Sequence, residues 1–190
     1  MKYKYFFYIY LCLSIFASFA IAQDSTFHNK LNRYSLSFKM PTGFKKVPVK
    51  ENRDVVYDYA VRNETGTFEI RYRVLPIDTS TAVLNETRVN PNRIFSSMLV
   101  AMMLNISGGK MGNHGFFDSS AVKEEFNANS GATGFVEVNS AFGEGYSFCM
   151  INVIHRDDIA DAYIFYLFND KSEVVKTLNR EDVFHAFKFK

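Results

Sequence analysis

The densest group of chemically capable side chains in the sequence is the run His155-Arg156-Asp157-Asp158, with Asp161 three residues further on. Imidazole nitrogens and carboxylate oxygens bind divalent cations, so His155, Asp157, Asp158 and Asp161 form a candidate metal site. The alternative is a solvated turn, because aspartate is favoured in tight turns through its hydrogen bonds to the backbone. The sequence favours the turn and leaves the metal site as the alternative.

A second histidine, His114, lies in the glycine-rich run GGKMGNHG, residues 108–115. Phosphate-binding loops follow a strand and open a helix, whereas this run follows a helical pattern. We therefore interpret it as a flexible flap near a cleft, in which His114 could bind a ligand. His114, His155 and Asp157 together define an enzyme alternative, a metal-dependent or hydrolytic activity. That alternative requires the two histidines to share one concave site.

Sequence motifs of the common enzyme classes are missing: the chain contains no GxSxG, HExxH, CxxC or EF-hand pattern. We therefore expect no cofactor and no catalytic residues. Cys149 lies in the apolar run YSFCMI and is predicted to be a buried small hydrophobe rather than a nucleophile. Glycosylation sequons begin at Asn63, Asn85 and Asn105, and the sequence leaves their modification open.

Residues 1–22 have the pattern of a cleaved secretory signal. Lys2 and Lys4 precede an apolar run, and Ala20-Ile21-Ala22 ends it with small residues. The run is shorter than the ~20 apolar residues that a membrane-spanning helix needs. We expect cleavage near Ala22, an exported product (periplasmic or secreted), and no transmembrane segment in the mature chain.

The charge of the mature chain is balanced. The full chain has 22 Lys+Arg and 20 Asp+Glu, and the signal holds two lysines and no acid, so 22 − 2 = 20 basic residues face 20 acidic ones. A neutral chain lacks the basic surface that nucleic acid binding requires. The expected partner is therefore an envelope protein or a small ligand.

Alternating apolar and polar residues predict strands at 34–38 and 135–139 and two hairpins. The hairpins comprise 55–61 with 68–74, and the more apolar pair 146–154 with 160–168. Asn90-Pro91 opens a helix that ends near Ser107, and shorter helices are predicted at about 119–128 and after Asn169. A flexible leader, 23–32, precedes a single domain, 33–190. The fold class is α+β, an antiparallel β-sheet flanked by helices.

The first hairpin presents two different faces. Its charged residues, Glu69, Arg71 and Arg73, suit a solvated outer face. Its aromatic residues Tyr57, Tyr59 and Tyr72 suit either a ligand-binding sheet face or the core. Together with His114 and His155, these tyrosines are the candidate ligand-binding residues.

The two ends of the predicted domain carry a family resemblance. Tyr34-Ser35-Leu36-Ser37-Phe38 runs into Met40-Pro41-Thr42-Gly43-Phe44, and the chain closes on Phe184-His185-Ala186-Phe187-Lys188-Phe189. This order resembles the photosystem II oxygen-evolving P-subunit (PsbP-like) superfamily, although that family often has Trp where this chain has Phe44. The resemblance implies a PsbP-like α/β/α sandwich and an exported, non-enzymatic binding or accessory role, and it carries over no functional residues.

Overall fold

The computed structural model describes residues 25–79 and 90–190. Within these residues, one antiparallel sheet lies between two layers of helices, which confirms the predicted α+β class with an antiparallel sheet flanked by helices. The signal segment 1–22 and the sequon at Asn85 lie outside the described residues.

The strands of the described residues form two sheets. The larger has seven strands in the order β2-β3-β4-β8-β7-β6-β5, every neighbouring pair is antiparallel, and β1 pairs separately with β9. The strands are β1 (Leu36–Phe38), β2 (Phe44–Lys46), β3 (Tyr59–Asn63), β4 (Phe68–Pro76), β5 (Asn113–Phe116), β6 (Ser130–Glu137), β7 (Phe148–Arg156), β8 (Ala160–Phe168) and β9 (Phe187–Phe189).

The helices lie outside the sheet layer. They are α1 (25–33), a 3₁₀ turn (Pro91–Arg93), α2 (Phe95–Ser107), α3 (Ser119–Phe126), α4 (Ser140–Gly143), α5 (Lys171–Leu178) and α6 (Glu181–Phe184). Side chains from α1, α3, α5, α6 and the β1–β9 pair cover one sheet face. Side chains from α2 and α4 cover the other.

The predicted flexible leader is a helix from residue 25 onward. Phe27 and Leu31, four residues apart and therefore on one side of α1, are both buried. The Phe27 ring stacks on Tyr59 with the centroids 4.5 Å apart. The prediction was wrong because two apolar residues among polar ones are enough to anchor a short helix on a large core.

Three other predictions about elements need correction. The run predicted as a flap contains strand β5, which pairs with β6 along its whole length. The first predicted strand is shorter than expected and pairs with β9 instead of joining the large sheet. At the start of α5, Asp170 is the N-cap, and the predicted cap Asn169 accepts from the Ser147 amide instead.

Helix α2 lies very close to the sheet. It contains no charged residue, and Met103 on its inner side is fully buried. A Cβ atom at Gly134 of β6 would lie 2.5 Å from the Met103 sulfur, so the glycine is what allows this approach. Gly108 ends the helix with a left-handed φ of 70°.

A buried ion cluster holds α4 on the sheet. Arg71 is 0 % exposed, and its Nε donates to Glu69 Oε1 at 2.7 Å while Nη1 donates to the Phe142 carbonyl at 2.7 Å. The Tyr57 and Phe142 rings lie 4.8 and 4.9 Å from the guanidinium carbon. Glu69, 2 % exposed, also accepts from Arg62 Nε at 2.8 Å. The face predicted to be solvated is therefore covered at Glu69 and Arg71, because α4 lies over it.

We expect Glu69→Gln to lower the free energy of unfolding by about 3–5 kcal/mol, because it removes the nearer and more buried of the two carboxylates, Glu69 and Glu144, that balance the buried Arg71 guanidinium. Arg62→Gln is the matched control, since it removes the one-third exposed partner of the same glutamate and should cost no more than about 1 kcal/mol. Urea denaturation measures both. Equal losses of unfolding free energy in the two variants would show that the Glu69–Arg71 pair stabilises the fold no more than the Arg62–Glu69 pair does.

Candidate binding surface

His155 lies between two carboxylates at the end of the β7–β8 hairpin. Its ring is 1 % exposed, with Nδ1 at 2.7 Å from Asp161 Oδ1 and Nε2 at 2.9 Å from Asp157 Oδ1. An ionised carboxylate only accepts hydrogen bonds, so the charged imidazole satisfies both by donating at both nitrogens. Burial lowers the pKa of His155, but Asp161 and then Asp157 raise it more, and the pKa lies above its ordinary value.

The proposed metal ligands form a hydrogen-bonded turn. Asp158 bonds with Asn92 through its amide at 3.0 Å and its carboxylate at 2.9 Å, rather than joining His155. Both nitrogens of His155 are already engaged. Across residues 25–79 and 90–190, no group of three or more His, Cys, Asp or Glu is arranged to hold a metal ion.

The two histidines of the enzyme alternative lie far apart. His114 pairs with Gly134 on β6, whereas His155 pairs with Ser130 on the same strand. Four residues along β6 correspond to about 14 Å, and two strand spacings add about 10 Å across the sheet. His114, His155 and Asp157 therefore do not form one concave site.

The three tyrosines belong to the core. Tyr57, Tyr59 and Tyr72 are 3 %, 4 % and 1 % exposed. Tyr57 contacts Arg71, Tyr59 stacks on Phe27, and Tyr72 meets the ring of Phe187 edge-on at 5.3 Å. This corrects the expectation of an aromatic ligand-binding face, because helices cover both sides of the sheet. Cys149 is fully buried as predicted, and burial raises the pKa of its thiol.

A row of three rings connects the buried histidine to the surface. The Phe95 ring stacks on His155 with centroids 5.0 Å apart, and Phe116 meets Phe95 edge-on at 6.3 Å. Phe95 begins α2 and Phe116 ends β5. The carboxylates that fix His155 therefore also support an exposed aromatic side chain, since Phe116 is 66 % exposed.

An apolar surface follows α2 and β5. We define the α2–β5 surface by its exposed members Ile94, Met111 and Phe116, which are 38 %, 61 % and 66 % exposed. On α2 itself, Val100 and Leu104 are partly exposed. The most exposed residues of α2 are Ser97, Ala101 and Asn105, so the outer side of this helix is uncharged and carries small and polar side chains. Sequence analysis missed this surface, although an uncharged helix followed by Phe116-Phe117 was a readable signal.

A groove of about 770 Å³ lies between the β1–β9 pair and α6. Arg180 forms an ion pair with Asp182 at 2.9 Å, His185 hydrogen-bonds with Glu125, and Lys39, Glu181 and Lys188 also line the groove. Arg180 and Asp182 also bond to the backbone of Thr42. Arg180 and Asp182 thus hold the Pro41-Thr42-Gly43-Phe44 turn in place, which gives this pair a structural role.

Comparisons with known proteins found similarity among solved structures only. No protein-family model matches the chain, and no curated protein matches it. The solution structure of cyanobacterial PsbP (CyanoP) from Synechocystis sp. PCC 6803 is similar, with 15 % identity, a TM-score of 0.44, and coverage of 82 % of this chain and 87 % of that one. The PsbP-like assignment therefore stays a prediction from the sequence. At this identity the likeness concerns the fold alone.

Among the helices of the described residues, none has the length and apolar character needed to cross a membrane.

We expect the stability that His155 contributes to depend on pH. Because its folded pKa is raised, that stability is complete below the unfolded pKa of about 6.5 and is lost as pH rises through the folded pKa. Denaturation of the wild type and His155→Gln should therefore differ more at about pH 5 than at about pH 9. The same difference at both pH values would mean that His155 contributes by packing alone.

Proposed function

We propose that the chain is an exported, non-enzymatic binding or accessory protein that contacts a protein partner through the α2–β5 surface. The observation that supports this proposal best is the exposed Phe116, placed beside an uncharged helix on a surface that also includes Ile94 and Met111. Apolar patches on a monomer mark interaction sites, and aromatic residues and methionine are enriched in the cores of interfaces.

The rigidity of the surface favours a binding role. Phe116 contacts Phe95, Phe95 stacks on His155, and two carboxylates fix His155. The buried Met103 side chain of α2 packs directly on Gly134 of β6. A surface that is ordered before binding loses less conformational entropy when the partner binds.

A protein partner fits this surface better than a small ligand does. Small-molecule sites are concave and bury most of their ligand, whereas the side chains of Met111 and Phe116 are more than half exposed. Because basic and acidic residues are equal in number in the mature chain, it lacks the excess positive charge that attracts the phosphates of nucleic acid.

Export is the second part of the proposal, and Lys2, Lys4 and Ala20-Ile21-Ala22 support it. When the full chain is expressed in a bacterial host, N-terminal sequencing of the purified product should begin at Gln23, with the protein in the envelope or medium. A product that retains Met1 and remains in the cytoplasm would contradict export.

Site-specific photo-crosslinking tests the proposed surface. A benzophenone amino acid at Phe116 should give discrete adducts in envelope extract that mass spectrometry identifies as one protein, because the ring is exposed on the surface. The matched control is the same amino acid at Lys45, an exposed residue of β2 at the opposite edge of the sheet. Adducts that are absent at position 116, or equally abundant at both positions, would contradict binding through this surface.

A further inference from the structure

Strand β5 is an open edge of the large sheet, with β6 on one side and no described strand on the other. The Phe117 amide donates to the Gly131 carbonyl at 3.0 Å. This bond shows which backbone N–H and C=O groups along β5 point toward β6. Every second residue from Phe117 faces β6, so the amides and carbonyls of His114 and Phe116 face away from the sheet. Among the described residues, these two donors and two acceptors have no strand opposite them.

The two edges of the sheet differ in how they are protected. At the β2 edge, Lys45 and Lys46 lie in the strand and Pro48 follows it, and both features prevent another strand from adding. Strand β5, Asn113–Phe116, contains neither lysine nor proline. A Cβ atom added at Gly115 would meet nothing within 4 Å. Strand β5 therefore lacks the lysine and proline residues that hinder strand addition at the β2 edge.

The area of the surface indicates what can cover it. Burying the exposed parts of Ile94, Met111 and Phe116 removes roughly 300 Å² from water, well short of the ~800 Å² per partner that a stable interface needs. A second copy of this chain would therefore have to bury many residues besides these three to form a stable dimer. A short extended segment needs less area, because hydrogen bonds to the strand edge supply part of its affinity.

The charges of the edge indicate the chemistry of that segment. Residues 108–117 include Lys110 and His114 but no aspartate or glutamate. An added strand with a carboxylate would complement the Lys110 cation, and its apolar side chains would contact Phe116.

We propose that the β5 edge binds an extended, apolar and acidic segment of a protein partner as an eighth strand of the sheet. Its backbone bonds to His114 and Phe116, and every second side chain packs on the α2–β5 surface. This inference rests on the proposed function and specifies the mode in which that surface binds.

A peptide selection tests strand addition. The full chain, expressed and processed by its host, is used to select from a phage library of random peptides of about twelve residues. Selected peptides should carry an apolar residue at every second position and at least one acid. Binding of these peptides should also slow deuterium exchange of the His114 and Phe116 amides.

Variants at His114 separate backbone from side-chain contributions. His114→Pro removes an outward-facing amide, which an edge strand tolerates, and should weaken peptide binding at least about tenfold. His114→Ala keeps that amide and should bind about as well as the wild type. Phe116→Ser should weaken binding by removing apolar contact.

The outcomes distinguish the inference from the proposed function. If His114→Pro binds as the wild type does while Phe116→Ser loses binding, the surface is used and strand addition is overturned. Peptides with apolar residues at helical spacing, or no selected peptides, would also overturn it. If circular dichroism shows that His114→Pro is unfolded, hydrogen exchange of the wild type replaces this variant as the test. Strand addition is then overturned if bound peptide does not slow exchange of the Phe116 amide. Failure of crosslinking at position 116 contradicts the proposed function itself.

Discussion

The burial of β8 on both faces is the constraint on which the rest of the structure depends. All nine residues from Ala160 to Phe168 are buried, and β4 and β7 flank the strand on either side. Backbone groups of such a strand are satisfied only by its neighbours, and its side chains only by cover on both sides of the sheet. The chain must therefore place helices above and below a sheet of hairpins, which makes it an α/β/α sandwich.

The two faces of the sheet are covered by different numbers of elements, and the candidate binding surface lies on the face with fewer. One face receives α1, α3, α5, α6 and the β1–β9 pair. The other receives α2, the short α4 and the buried ion cluster around Arg71. Helix α2 lies over β6 and β7, so its inner side completes the core, and the exposed apolar residues Ile94, Met111 and Phe116 lie just before it, just after it and on β5. Burial and binding thus depend on the same helix.

Much of the fold could be predicted because its signals are local. The β3–β4 and β7–β8 hairpins show as apolar runs joined by turns, and Gly108 marks the end of α2 as predicted. The predicted start was too early, because Asn90-Pro91 opens the 3₁₀ turn and α2 itself begins at Phe95. Asp118 is the N-cap of α3, as its side chain predicts. These features depend on residues close together in sequence.

The features that could not be predicted depend on tertiary contacts. Strand β5 has four residues and no apolar alternation, because backbone pairing with β6 defines it. Period-two patterns show that Glu69 and Arg71 share a face with each other but not that α4 covers that face. The candidate site was predicted poorly for the same reason: His155 has the carboxylate neighbours that the sequence suggests, while its stacking on Phe95 requires α2 in place.

The central claim is a sheet closed on both faces by its helices and open at the β5 edge. Native-state hydrogen exchange of the free protein, followed residue by residue by NMR, tests it most directly. Amides of β8 should exchange most slowly, near the rate set by global unfolding, whereas those of His114 and Phe116 should exchange at the earliest times. Protection of His114 and Phe116 comparable to that of β8 would show that the edge is already covered, and would contradict the claim.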